Sequence, residues 1–371
     1  MRPSKKSSLI PRRDDSLDEG SHPEIRGSGI KFNFEAAGIG SVPFRDPKTA
    51  CRVICDNFKD IPFWPQLPKR SFLENMYVQY AEGLPGIICD EEKKTIHIDT
   101  SRVAAEIENV YLRYLDGDLE FFRISEDRAL GLYEFLDHAK SAACASCKYV
   151  KGHITGPVSY GLFLTDQNKR SVIYDKDLFE VLTKTLVMKT RWQIKKLKKI
   201  NPSVIIFIDE PYLVSIGSSF VNINTDDITK KLAEVIEAIK KEGALSGIHC
   251  CGNTDWSALL KSDVDIISFD AYNFVKEFSL YGADIKSYTA RGGTIAWGLV
   301  PTSEAIEKET KKSLAERSAD AFKTLSDKGI NTENVSSLVT PSCGVGSLDE
   351  ETAKKVIEMT AALSGKLKKN G

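Results

Sequence analysis

Apolar residues along this chain fall into short unbroken runs, separated by longer stretches in which they recur every three or four positions. The runs are AAGIGS (36–41), KYVKGHITGP (148–157), SVIIFIDEP (203–211), LSGIHCCG (245–252), VDIISFDAY (264–272), GTIAWGLVP (293–301) and SSLVTPSCG (336–344), with IPFWPQL (61–67) as a weaker eighth. Runs rich in Val and Ile without polar alternation predict strands buried on both faces. The stretches between them predict helices. In 225–243, Ile228, Leu232, Val235, Ile236 and Ile239 share one face, lysines fill the other, and Gly243 stands where a C-terminal cap belongs. The stretches 177–201 and 303–329 repeat the pattern, the second with Ser303 as its N-cap. Strand–helix alternation from 148 onward predicts a parallel sheet, and eight strands predict closure into a single (β/α)8 TIM barrel of the α/β class. The segment 66–120 breaks the alternation, and GIICDEEKKTIHIDTSR (86–102) within it predicts a β-hairpin, turning at Asp90 to Lys93, inserted after the first strands.

Composition narrows this picture. Residues 1–30 are polar and rich in Gly, Pro and Ser, which predicts a disordered lead-in and leaves 31–371 as one barrel domain. A formal net charge of -1 supplies no global field for nucleic acid or an anionic membrane surface. No stretch approaches the ~20 apolar residues of a membrane span. The N-terminus has no signal-peptide core, so a cytoplasmic protein is expected. Eight cysteines in 371 residues are not a disulfide scaffold. In a reducing compartment they are buried, catalytic or metal-bound.

The chemically interesting residues lie at the C-terminal ends of predicted strands, which converge on the active face of a barrel. HCCG places His249 and Cys251 on one side of an extended chain and Cys250 on the other. Cys343 ends the last strand, which neighbours the first in a closed barrel. Two thiolates and an imidazole suit zinc, and three protein ligands with an open position make a catalytic rather than a structural site. In FIDEP, either Asp209 or Glu210 faces the site, because adjacent strand residues point opposite ways. His153 could face it too, or be a structural histidine. Trp297 could line a flat ligand surface or belong to the core. Cys144 and Cys147 form a CxxC on the wrong side of their strand, without a second pair to complete a metal site. The lysines of 195–199 read as a solvated helix face or as a dock for an acidic partner protein.

GIHCCGNTDW together with TPSCG, and with FIDEP (207–211), GIGS (38–41) and HITGPVS (153–159), resembles the superfamily of cobalamin-independent methionine synthase, methylcobamide:coenzyme M methyltransferases and uroporphyrinogen decarboxylase. The motifs run from 38 to 344 in the order found in the synthase's catalytic barrel. The resemblance implies zinc held by His249, Cys251 and Cys343, with Asp270 where the synthase carries a further glutamate ligand. It implies that Asp209 holds the amino group of homocysteine, that the turn Ile39, Gly40 and Ser41 holds its carboxylate, and that Gln66 stands in place of a glutamate near the amine. Asp209 and His153 are the candidate catalytic residues. The synthase's large N-terminal half has no counterpart here, so the chain is expected to be a short form taking methyl from a methylcobamide, on a corrinoid protein or free, and passing it to homocysteine. Methyl transfer to coenzyme M or another small thiol is the alternative. It would call for cations facing a sulfonate, which this set of strand ends lacks. A uroporphyrinogen-decarboxylase-like lyase would call for arginines, and a zinc- or corrinoid-binding module without turnover is the remaining reading.

Overall fold

The computed structural model describes residues 31–138, 146–217, 221 and 223–370. The lead-in 1–30 and Cys144 lie outside them. Among the described residues there are nine strands: β1 (Asn33–Ala36), β2 (Ile87–Asp90), β3 (Thr95–Ile98), β4 (Val150–Thr155), β5 (Val204–Asp209), β6 (Leu245–Cys250), β7 (Ile266–Phe269), β8 (Thr294–Val300) and β9 (Ser337–Pro341). Seven of them form one parallel sheet in the order β1-β9-β8-β7-β6-β5-β4. As expected, β2 and β3 form a separate antiparallel hairpin, with Asp90 paired to Thr95. Helices return the chain between successive strands, and the fold is an α/β barrel of TIM type.

The seven-stranded sheet would leave a gap between β1 and β4. Residues 61–67, the weak eighth run, fill it. Lys151 N donates to Pro62 O at 2.8 Å and Trp64 N to Lys151 O at 3.3 Å on one side. On the other, Gln66 N donates to Gly40 O at 3.1 Å and Val42 N to Gln66 O at 2.9 Å. Pro62 and Pro65 have no N–H to give, so the segment pairs through isolated bridges and never becomes a regular strand.

Side chains complete this seam. The Gln193 carboxamide treats the backbone of His153 as a strand would: Oε1 accepts from His153 N at 3.1 Å and Nε2 donates to His153 O at 3.0 Å. Oε1 also accepts from Trp64 Nε1 at 2.8 Å, and Tyr80 Oη donates to His153 O at 3.0 Å. Gly152 makes room, since a Cβ there would lie 1.9 Å from Gln193 Oε1.

Two elements begin elsewhere than the pattern suggests. Strand β1 ends at Ala36, so 37–41 is the turn leaving it rather than the strand itself. The helical stretch 303–329 is broken. Ser303 caps a short 3-10 turn, Glu304–Lys308, and the helix proper, Lys311–Ser326, starts at a capping box of Thr310 and Ser313. Buried Glu309 bonds Tyr272, Ser313 and Arg317 and fixes that break. Apolar alternation in the wall puts Ile205, Phe207, Ile266, Ala296 and Leu338 into an interior cluster separate from the larger core under the helices. Among the described residues no helix is long and apolar enough to cross a membrane.

Candidate metal centre

One ligand atom from each of His249, Cys251 and Cys343 lies within 4.8 Å of the other two. Strand parity makes this possible. His249 is the inward residue of β6, Cys251 follows two positions later at the strand end, and β9 delivers Cys343 just past Pro341. Cys250, of opposite parity, is fully buried in the outer core, where burial pushes its thiol up to about 12. His249 Nδ1 lies 3.0 Å from Ser268 Oγ. Its Nε2 is buried without a hydrogen-bond partner among the described residues. The Cys343 thiol and the His249 ring hold Cys251 well below the usual thiol range, and Cys343 is pushed up by the same neighbour and by burial. A buried imidazole nitrogen with no partner, its other nitrogen bonded to a hydroxyl, and two half-buried sulfurs beside it fit a zinc ion.

Asp270 does not join the trio. Its carboxylate caps the helix Ala271–Phe278, accepting from Asn273 N at 3.0 Å and Asn273 Nδ2 at 2.7 Å. Of the two acids in FIDEP, Asp209 turns to the barrel mouth: its field reaches Cys251 and Cys343, and its Oδ1 is buried with no partner among the described residues. Burial pushes it up to about 6 against the pull of His249 and Lys151. Glu210 points outward and accepts from Val158 N (3.0 Å), Ser159 N (2.7 Å) and Ser159 Oγ (2.6 Å), capping the helix Pro157–Phe163.

His153 is 1% exposed, its ring stacked 3.9 Å from that of Trp64, and neither ring nitrogen has a partner among the described residues. Burial, then Lys151, drive its pKa well below the ordinary value, so it is a neutral imidazole. Gly40 is a glycine because of it: a Cβ there would lie 2.7 Å from His153 Nδ1. The turn Ile39–Ser41 runs past this ring to the metal trio. Ser41 Oγ accepts from Gly346 N at 3.3 Å and its carbonyl accepts from Val345 N at 3.0 Å, both just beyond Cys343. The Gln66 amide faces another way, donating to Gln79 Oε1 at 2.8 Å.

Other candidates separate from the site. Trp297 is wholly buried behind β8, its Nε1 bonded to Ser337 Oγ at 3.1 Å, so it lines no surface. Cys147 is buried ahead of β4, at the opposite end of the barrel. In the lysine run, Lys196 pairs with Glu120 at 2.9 Å and Lys198 donates to the Glu242 carbonyl. Three residues that sequence reasoning passed over now matter: Ser268 behind His249, Gln193 behind His153, and Lys151 beneath the turn 39–41. Lys151 alone left a signal, a lysine in the middle of an apolar strand.

No family model and no curated protein matches the chain. Among solved structures, it is similar to a B12-independent methionine synthase from Shewanella sp. W3-18-1 in complex with selenomethionine, at 18% identity over 64% of this chain and 67% of that one, with a TM-score of 0.45. The corrinoid donor expected from the sequence gains no support from that similarity.

Proposed function

We propose that this chain is a zinc-dependent S-methyltransferase whose acceptor is the thiol of homocysteine and whose product is methionine. The observation that carries the reading is the trio His249, Cys251 and Cys343 at the mouth of a barrel, with an unpartnered carboxylate, Asp209, beside it. Zinc held by the trio would supply the Lewis acidity that keeps a thiol in its thiolate form near neutral pH.

The chain's own residues do the rest. Ser268 orients the His249 ring through Nδ1, which directs Nε2 to the sulfurs. Asp209 offers its free Oδ1 to an ammonium group, a contact that a simple alkyl or sulfonate thiol cannot make. The turn Ile39–Ser41 borders the same space. Methyl transfer forms the S–CH3 bond from a sulfur lone pair, and the bond from methyl to its carrier breaks with its electrons staying on the carrier. The acceptor's thiol proton leaves on binding.

The decisive experiment is a donor-by-acceptor screen on the zinc-loaded protein, with methylcobalamin and methyl-tetrahydrofolate as donors and homocysteine and coenzyme M as acceptors. Methionine from homocysteine with either donor is expected, and the donor that works settles the corrinoid expectation. Transfer to coenzyme M but not homocysteine, or to neither, overturns the reading. Asp209→Ala should weaken homocysteine binding more than tenfold and leave zinc content unchanged. Equal losses in both would make Asp209 a structural residue.

A further inference from the structure

Lys151 lies in the middle of β4, fully buried, with its side chain inside the barrel. Its Nζ donates to the carbonyl oxygen of Ile39. It also lies 4.2 Å from the centroid of the Phe207 ring and 5.7 Å from that of Phe63. Among the described residues it forms no ion pair; Asp209 acts on it only through its field. A buried ammonium compensated by a carbonyl and two ring faces is an unusual thing to keep in a barrel core.

What it holds explains it. The Ile39–Gly40 peptide is trans, so its oxygen and its N–H point in opposite directions. Gripping the Ile39 oxygen aims the Gly40 N–H away from the ammonium. The Gly40 oxygen in turn accepts from Gln66 N at 3.1 Å, which fixes the direction of the Ser41 N–H. Among the described residues no hydrogen bond uses the N–H of Ile39, Gly40 or Ser41. Successive free N–H groups in a fixed turn bind anions, and a cation on the carbonyl end of a peptide polarises it and strengthens its donor end. The turn stands next to Cys343, since Ser41 meets the backbone at 345 and 346.

We propose that Lys151 is a positioning residue for the anionic end of the acceptor: by holding the Ile39 carbonyl it aims and polarises the Gly40 N–H, which with the Ser41 N–H receives a carboxylate. With the free Oδ1 of Asp209 as the other contact, a zwitterionic thiol would meet a carboxylate at its ammonium end and backbone N–H donors at its carboxylate end. The inference rests on the amino-acid acceptor proposed above.

The test is calorimetric binding to zinc-loaded protein of homocysteine and of 3-aminopropane-1-thiol, which keeps the thiol and amine and lacks the carboxylate. Wild type is expected to bind homocysteine more tightly. Lys151→Met is expected to weaken homocysteine at least tenfold while changing the analogue less than twofold. Lys151→Gln, which keeps a neutral donor, should fall between. Equal weakening of both ligands, or unchanged homocysteine binding, overturns the proposal. If Lys151→Met does not fold, Lys151→Gln decides by the same criterion, with zinc content as the check on its fold. Wild type that binds both thiols equally well removes the carboxylate subsite and this proposal, and leaves the Asp209 contact standing. Wild type that binds neither overturns the acceptor assignment and this proposal with it.

Discussion

The barrel wall is built in two ways. From β4 round to β1 it is a parallel ladder in which backbone hydrogen bonds join each strand to the next. Between β1 and β4 it is residues 61–67, held by four backbone bonds and then by Gln193, Trp64, Tyr80 and Lys151. In the ladder, parity delivers chemistry: His249, Cys251, Ser268 and Asp209 all arrive at the mouth because inward residues alternate with outward ones. In the seam, side chains are part of the wall. A substitution in the ladder's inward set should therefore change chemistry and spare the fold, whereas a substitution in the seam should cost the fold first.

The largest effect belongs to the ladder. Cys251→Ser is expected to take zinc from about one ion per chain to almost none, by metal analysis, with the apo protein's melting temperature nearly unchanged. Full retention of zinc would end the ladder half of the comparison. The seam is next. Gln193→Leu leaves Trp64 Nε1 and His153 N buried without acceptors, at about 1–3 kcal/mol each, so urea unfolding should show a loss of about 3 kcal/mol. A loss below about 1 kcal/mol would mean that the seam does not depend on this amide.

The seam also has a pH signature. Burial draws Lys151 down to about 7 from an ordinary 10.5, and Lys189, buried outside the seam, likewise. The unfolded chain keeps both lysines at their ordinary value, so between about pH 7 and 10.5 it binds more protons than the folded protein, and stability rises with pH across that window. Lys151→Met removes one of the two contributions. It should make the slope shallower by up to about 1.4 kcal/mol per pH unit, read from unfolding curves at several pH values. An unchanged slope would show that folded Lys151 keeps its proton across that window and that burial does not lower it. The smallest effect is Ser268→Ala, which should weaken zinc binding by about tenfold and leave stability within about 1 kcal/mol. A large stability loss there would blur the distinction between ladder and seam.

Much of the ladder was legible in the residues. Unbroken Val and Ile runs marked its strands, and the i, i+2 spacing put His249 and Cys251 together and Cys250 away. FIDEP was legible only halfway: alternation says that Asp209 and Glu210 diverge, and nothing local says which goes inward. Asp270 looked like a ligand by position, yet an aspartate just ahead of a helix is also an N-cap, and here its oxygens serve Asn273. The seam was nearly illegible. Gln193 lies 40 residues from the backbone it completes, in a helix that reads as ordinary.

By itself, then, the order of residues determined the class of fold, the hairpin insertion and which residues of each strand share a face, because these follow from local periodicity and backbone geometry. Tertiary structure alone decided which face turned inward, that Cys343 meets His249 and Cys251, and how 61–67 closes the barrel. Those outcomes depend on contacts between residues tens to hundreds of positions apart, and the free energy of such contacts is written in no single stretch of chain.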